Sequence, residues 1–456
     1  MSKASDLSDF PKISSKAWKQ KIQFGLKGED YNQNLLWESL EGIHVKPFYH
    51  FDEVKKSDLY FSKFSDEWKI VDTFFVKNEK LARKYILKSI ESGTTGIRIQ
   101  ANEPFDIEKT FSGFPFEEVT VFCQFSFFDL AFAERLIHFF KLKKAHFFLN
   151  LDPIGRLIND GNWFENETKD FNNLKRLFSA YPDQKCLGID AVGYQQAGAN
   201  IVEQLAFAMA HLNEYFNLFS NSLPTVVSIQ FAVGSNYFFE IAKLRAFRVL
   251  YALLATEYGL PETCHLFAVP TLRNKTIYDY NVNMLRTTTE CMSAVLGTAD
   301  AACNLPYDAL FHKENEFGHR IARNQLLILK NESFFDAVSN PADGSYYIES
   351  ITKQLAEKAL VLFKEIEKSG GLIKRLKDST IQKRIAESHQ KEQALYDAHR
   401  EVLVGTTKYT NPEDHMVGNL ELFPFLKTKP RKTLIKPLIP KRIAESVEQE
   451  RLSFEE

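Results

Sequence analysis

A set of polar residues stands where short β-branched and aromatic runs give out: Gln124, Asn150, Asp152, Tyr194, Gln195, Gln196, Gln230, Arg273 and Asn304. The set is rich in amides and poor in groups that exchange protons. Asp152 is its single carboxylate and it holds no histidine, so general acid–base catalysis lacks its usual participants. Such side chains can hold a ligand by hydrogen bonds but have little with which to transform it. His211, His265, His312 and His319 are dispersed, with neither H-E-x-x-H nor His-x-His spacing, and no metal centre is expected. The chain has no G-x-G-x-x-G, no G-x-x-x-x-G-K-[ST] and no G-x-S-x-G, which removes the dinucleotide cradle, the P-loop and the nucleophile elbow. Asp343-Gly344-Ser345 reads as a turn before a helix rather than as an anion cradle.

The elements that must position these residues alternate. Strand-like runs are expected at Thr95 to Gln100, Val119 to Phe125, Ala145 to Leu151, Cys186 to Tyr194, Thr225 to Ala232 and Cys264 to Thr271, with weaker ones near Ala302 and at Phe335 to Ser339. Between them, 3.6-residue periodicity predicts helices at Asp129 to Lys141, Thr168 to Tyr181, Ala197 to Phe219, Tyr237 to Tyr258, Asn281 to Gly297, Glu316 to Asn331 and Tyr347 to Lys368. Repeated βα units over roughly 270 residues suit an α/β (β/α)8 TIM barrel, whose typical size is about 250. A doubly wound open sheet is the alternative, because periodicity does not distinguish a closed cylinder from an open edge. In a barrel, chemistry sits at the C-terminal ends of the strands, which is where Gln124, Asn150, Asp152, Tyr194, Gln195, Gln196, Gln230, Arg273 and Asn304 are expected.

Three segments are expected: an N-terminal arm at 1–67, the barrel at 68–370, and a C-terminal helical and extended part at 371–456. The arm has helical periodicity from Lys16 to Leu26 and a strand-like stretch from Gly42 to Tyr49. Past Gly370 a charged helix is predicted from about Leu372 to Val404. Lys427 to Arg442 is basic and punctuated by proline, hence extended. Leu434, Ile435, Leu438 and Ile439 interrupt its charges, and an arm laid over a neighbouring subunit is the expectation. Ile443 to Glu456 is acidic and reads as helical or frayed.

Composition narrows the class. The 456 residues carry 57 Lys+Arg against 59 Asp+Glu, a formal net charge of -2, so no overall positive field recommends a nucleic-acid or polybasic membrane binder. The 5 cysteines form no C-x-x-C, which argues against a disulfide framework or structural zinc and suits a reducing cytoplasm. The first residues lack an apolar secretory core, and no run approaches the roughly 18 apolar residues of a membrane span. A soluble cytoplasmic protein is expected. The 40 Phe and 17 Tyr ask for large apolar burial, which a large core mostly explains, with material left for a broad contact surface.

Several stretches resemble one family, the adenosylcobalamin-dependent methylmalonyl-CoA mutases. Trp18 to Gly28, Tyr31 to Ile43 and Pro47 to Tyr49 look like the family's N-terminal arm. Gly193-Tyr194-Gln195-Gln196-Ala197-Gly198-Ala199 is similar to its G-Y-H-x-x-E-A-G-A barrel motif. Phe239 to Ala246, Asn283 to Thr287 with Ala294 to Gly297, Arg320 to Asn324 and Asp343 to Ser350 continue the resemblance in family order.

The departures bear on function. Tyr194 of the family's Tyr-His pair remains, and Gln195 stands where the catalytic histidine belongs. Val71-Asp72-Thr73 replaces the segment with the radical-steering tyrosine. The F-D-L-x-T-H-R-G run is gone around Gln100 to Glu103, and the H-x-Q-T-S-G run is replaced near Thr271 to Asn274. Asp397-Ala-His399 begins like a D-x-H-x-x-G cobalamin loop but has Val402 in the glycine's place and lies in a helical run. No flavodoxin-like cobalamin-binding domain is expected in the chain. The resemblance therefore implies the small (beta) subunit of the heterodimeric type, a partner of the large catalytic subunit and not itself catalytic. Adenosylcobalamin is then bound by the partner chain, with none and no metal expected on this one. Tyr194, Gln195, Gln196, Gln124, Gln230 and Arg273 are left as a vestigial substrate pocket. The implied reaction is succinyl-CoA to (R)-methylmalonyl-CoA, in propionate metabolism. The alternatives are an active barrel served by a separate cobalamin-binding polypeptide and a non-catalytic acyl-CoA-binding barrel. Arg286 and Arg320 are expected in ion pairs rather than on phosphate.

Overall fold

Parallel strands buried on both faces read as near-continuous apolar runs. Gly96–Ala101, Thr120–Phe125, Ser228–Val233 and His265–Pro270 are such runs, and shorter strands form at Phe147–Phe148, Gly188–Asp190 and Ala301–Cys303. With Lys69–Phe75 they make an 8-stranded sheet whose pairs are all parallel. A parallel bridge between Leu151 and Leu187 joins its two edge strands, so the sheet closes into a (β/α)8 barrel. The structure is a computed structural model and describes residues 12–53, 67–220, 222–426 and 430–455.

The first strand, Lys69–Phe75, lies outside the expected set, and Phe335 to Ser339 forms no strand. Asp72 hides the pattern by placing a charge mid-strand. Its carboxylate is buried and accepts from Ser89 Oγ at 2.5 Å, Thr94 Oγ1 at 3.1 Å and Arg323 Nη1 at 3.0 Å. A buried charge satisfied in this way is tolerated in a core that periodicity reads as apolar.

Long helices cover the outside. Ile201–Phe219 starts on a capping box, Glu203 N–H donating to Asn200 Oδ1 at 3.0 Å and Asn200 N–H to Glu203 Oε2 at 3.1 Å. The expected start at Ala197 instead belongs to a separate short helix, Val192–Ala197. Helices Glu79–Glu91 and Pro153–Asp160 lie outside the expected set. The predicted charged helix breaks into Leu372–Lys377 and Thr380–Asp397, with Ser379 at φ 63 between them. No helix among the described residues is long and apolar enough to cross a membrane.

Phenylalanine fills the barrel axis. Phe122 stacks on Phe148 with centroids 5.2 Å apart and meets Phe267 edge-on at 4.9 Å. The Arg98 guanidinium lies over Phe267 at 5.4 Å and its Nε donates to Thr73 Oγ1 at 2.9 Å. The N-terminal arm, with helix Ser15–Gly25 and the hairpin Trp37–Glu38/His44–Val45, packs through Trp37 on Phe239 at 5.7 Å and Tyr49 on Tyr347 at 5.2 Å.

The basic C-terminal segment lies on its own barrel rather than reaching away from it. Leu434 N–H donates to Gly161 O at 2.9 Å, Leu438 to Ile158 O at 2.9 Å, Lys441 to Gln196 O at 2.9 Å and Ile443 to Arg273 O at 2.8 Å. Its apolar residues Ile435 and Leu438 are buried there. A strap therefore runs from the loop after the fourth strand to the loop after the seventh. Lys427, Thr428 and Lys429 of the basic run lie outside the described residues. Helix Glu445–Ser453 ends the described chain.

Candidate functional site

Where the barrel strands end, a cavity of about 320 Å³ opens. Gln124, Asn150, Asp152 and Gln230, anticipated from strand ends, line it together with Gln100, Asn159 and Asp190. Phe75, Phe125 and Phe164 supply apolar wall. Gln100 Nε2 donates to Gln124 Oε1 at 2.9 Å, which joins the second and third strands across the rim.

The other anticipated residues are elsewhere. After Asp190 the chain turns directly into helix Val192–Ala197, whose Val192 joins the axial cluster while Tyr194 turns to His211. Tyr194 is fully buried, its hydroxyl 3.3 Å from His211 Nδ1. His211 Nε2 is 2.9 Å from Asp152 Oδ1, and Tyr215 donates its hydroxyl to the same oxygen at 2.7 Å. The other Asp152 oxygen accepts the Asp190 N–H at 2.9 Å. Burial pushes the Asp152 carboxyl up, but His211 and the Asp190 and Gly155 amides outweigh it and hold the group below its ordinary value.

Gln195 accepts from Thr271 Oγ1 at 2.7 Å and lines a separate space of about 120 Å³ with Arg273. Arg273 is buried, ion-paired with Glu392, and donates to Lys441 O at 3.0 Å. Gln196 contributes its carbonyl to the strap, and Asn304 Nδ2 donates to Ala322 O at 2.9 Å. The structure thus brings Gln124 and Gln230 to the mouth and divides Tyr194, Gln195, Gln196 and Arg273 from them. Arg286 makes hydrogen bonds to Thr276 Oγ1 at 2.9 Å and Val404 O at 2.6 Å, and Arg320 lies over Phe317 at 5.3 Å. Neither makes, among the described residues, the ion pair expected of it.

Asp190 was missed. It sits in the run Cys186 to Tyr194, two residues beyond inward-facing Gly188, and that period of two was the available signal. Burial and the Asp152 charge raise its carboxyl to about 6 despite the Val192 amide and the Arg98 charge. The mouth therefore holds a carboxyl that titrates near neutrality. A second cavity of about 590 Å³ lies at the opposite end of the barrel, where burial lowers His265 to about 4 and Lys185 Nζ sits 4.5 Å over the Phe148 ring. Phe122 and Phe148 line that cavity and not the mouth, so the aromatic layer separates the two.

Among the described residues no group of three or more His, Cys, Asp or Glu is placed to hold a metal ion. The residues at the mouth do not fit a cobalamin either. Among the described residues no imidazole lines the cavity, and the strap residues Lys441 and Ile443 bond to the Gln196 and Arg273 carbonyls outside it. His399 is exposed just past helix Thr380–Asp397.

The family model described as methylmalonyl-CoA mutase matches residues 87–449. The chain belongs to the methylmalonyl-CoA mutase family. A methylmalonyl-CoA mutase small subunit from Porphyromonas gingivalis is 30% identical, over 89% of this chain and 71% of that protein. The small subunit from Propionibacterium freudenreichii subsp. shermanii is also 30% identical, over 80% of this chain and 64% of its own length. A methylmalonyl-CoA mutase large subunit from Porphyromonas gingivalis is 30% identical over 53% of this chain and 35% of its own, so one organism holds both a small- and a large-subunit relative. All 5 cysteines of this family member are buried and unpaired.

Proposed function

We propose that the chain is the small subunit of an adenosylcobalamin-dependent methylmalonyl-CoA mutase. It does no chemistry itself, stabilises a large catalytic subunit that carries the cofactor, and serves succinyl-CoA to (R)-methylmalonyl-CoA isomerisation in the cytoplasm, within propionate metabolism. The observation that carries this reading is the filled axis: Phe122, Phe148 and Phe267 occupy the barrel centre, leaving no continuous passage for an extended acyl-CoA. The amide of Gln195 adds weight, because it is spent on Thr271 and lies outside the mouth cavity.

Pairing with a larger chain is supported by exposed aromatics on the arm and on the helix starts beside it. Trp18 is 45%, Trp37 48%, Phe51 62% and Phe238 49% exposed. Apolar surface of this kind favours a partner, and an obligate partner bound only by the folded state stabilises it by mass action. Co-expression with and without a large mutase chain, followed by methylmalonyl-CoA assay and measurement of assembly mass, tests the reading. Equal amounts of both chains in the active assembly are expected. Activity of the lone chain supplied with adenosylcobalamin would sink it.

A further inference from the structure

The mouth cavity has polar capacity that the chain leaves unused. Asn150 stands at φ 48, and its buried Oδ1 has no hydrogen-bond partner among the described residues. The facing position is Gly188, where a Cβ would lie 2.4 Å from that oxygen. Asn159 is accommodated in the same way: a Cβ on Gly193 would lie 2.1 Å from its Oδ1. Its Nδ2 makes only a long 3.4 Å contact to Asp190 Oδ2. The Gln230 side chain, on the neighbouring strand in register with Asp190, has no hydrogen-bond partner among the described residues. Two glycines thus make room for the Asn150 and Asn159 amides, of which the Asn150 oxygen is unpartnered against Gly188 and Asn159, with Gln230, keeps hydrogen-bonding capacity in the lining of the cavity.

Charge and shape select the ligand. An anion would face Asp190 and Asp152, while the lining cation, Arg156, is tied to Asp160 at 3.2 Å. A cation would gain little from Asp152, which is already spent on His211 and Tyr215, and would meet the field of Arg98 that acts on Asp190. Amide side chains donate and accept at once, as hydroxyl groups do. Phe75, Phe125 and Phe164 offer flat apolar walls for C–H faces. A volume of about 320 Å³ is at the lower end for small-molecule sites.

We propose that the barrel mouth binds a small neutral polyhydroxylated molecule, the size of a pentose or a cyclitol, through Asn150, Asn159, Asp190 and Gln230. Such a site does not depend on the subunit role, which can fail while the site stands. Calorimetric titration of the full chain with myo-inositol, D-xylose, succinate and 1,3-diaminopropane tests it. One of the two polyols is expected to bind saturably at millimolar concentration, more tightly than succinate or the diamine. Gln230→Leu is expected to weaken that binding about tenfold, the loss of one to two hydrogen bonds, with thermal unfolding unchanged. If Gln230→Leu unfolds early, Asn159→Ala is read instead, with the same weakening expected. The proposal is overturned if neither polyol saturates, if succinate or the diamine binds more tightly, or if the folded variants bind as the parent does.

Discussion

Nε2 of His211 lies 2.9 Å from Oδ1 of Asp152, and this contact ties the loop after the fourth strand to the helix behind the fifth. It gives Tyr194 a structural partner, since the tyrosine hydroxyl completes the chain at His211 Nδ1. Tyr194→Phe removes one neutral hydrogen bond and should cost about 1 kcal/mol. Asp152→Ala strands His211, the Tyr215 hydroxyl and the Gly155 and Asp190 amides in a dry layer, and should cost about 3–5 kcal/mol. Urea unfolding reads both. In an assembled mutase Tyr194→Phe should leave turnover unchanged, and a large fall in kcat would return this residue to the reaction.

Asp190 imposes a pH dependence of known sign. Its carboxyl titrates at about 6 in the folded chain, above the unfolded value, so the native state binds the proton more tightly. Its contribution to stability is greatest at low pH and is lost as pH rises through 6. Asp190→Asn should therefore stabilise the protein by about 1–2 kcal/mol at pH 8, after allowance for partial hydration, and have almost no effect near pH 4. Buried His265, lowered to about 4, has the opposite slope in the same range. The comparison is accordingly the difference between variant and parent at each pH, by thermal unfolding. An equal effect at both pH values would contradict the assignment.

Most of the barrel was legible because its strands are apolar runs and its helices long and periodic. Local pattern is overruled where contacts distant in the chain decide the structure. Lys69–Phe75 was hidden by Asp72, whose partner Arg323 is 251 positions away. The mouth was half legible: Gln124 and Gln230 follow from alternation along their strands. Tyr194, Gln195 and Gln196 would join it only if the strand continued past Asp190, where a helix begins instead. Asp190 itself was obscured by belonging to that same run. The strap's destination could not be read from its charges, because backbone hydrogen bonds to Ile158 and Gln196 hold it.

The aromatic layer makes a prediction about stability that a hollow barrel would not. Phe267 is 2% exposed and closes against Phe122, with Arg98 over its face. Phe267→Ala removes the ring and leaves the guanidinium without its platform, which should cost about 3–5 kcal/mol. Phe267→Leu keeps most of the volume and should cost about 1 kcal/mol. A destabilisation below about 1 kcal/mol for the alanine variant, measured in urea, would mean that the axis is not packed.

The strap is anchored by one buried ion pair. Arg442 Nη1 lies 2.6 Å from Glu448 Oε2 and also donates to Lys275 O at 3.0 Å, while Glu448 Oε1 accepts the Ile277 N–H at 2.8 Å. Burial pushes the Glu448 carboxyl up and Arg442 pulls it back only in part. Removing the arginine leaves a buried carboxylate without its cation, so Arg442→Ala should cost about 3–5 kcal/mol at pH 8. At pH 5 the stranded acid can protonate, and the loss should shrink by more than half. The double variant Arg442→Ala/Glu448→Gln should recover part of the pH 8 loss and show little pH dependence. Limited proteolysis supplies the local readout, with cleavage before Arg442 rising in the single variant ahead of global unfolding. A pH-independent loss in Arg442→Ala would show that the guanidinium acts through the Lys275 carbonyl and packing rather than through Glu448.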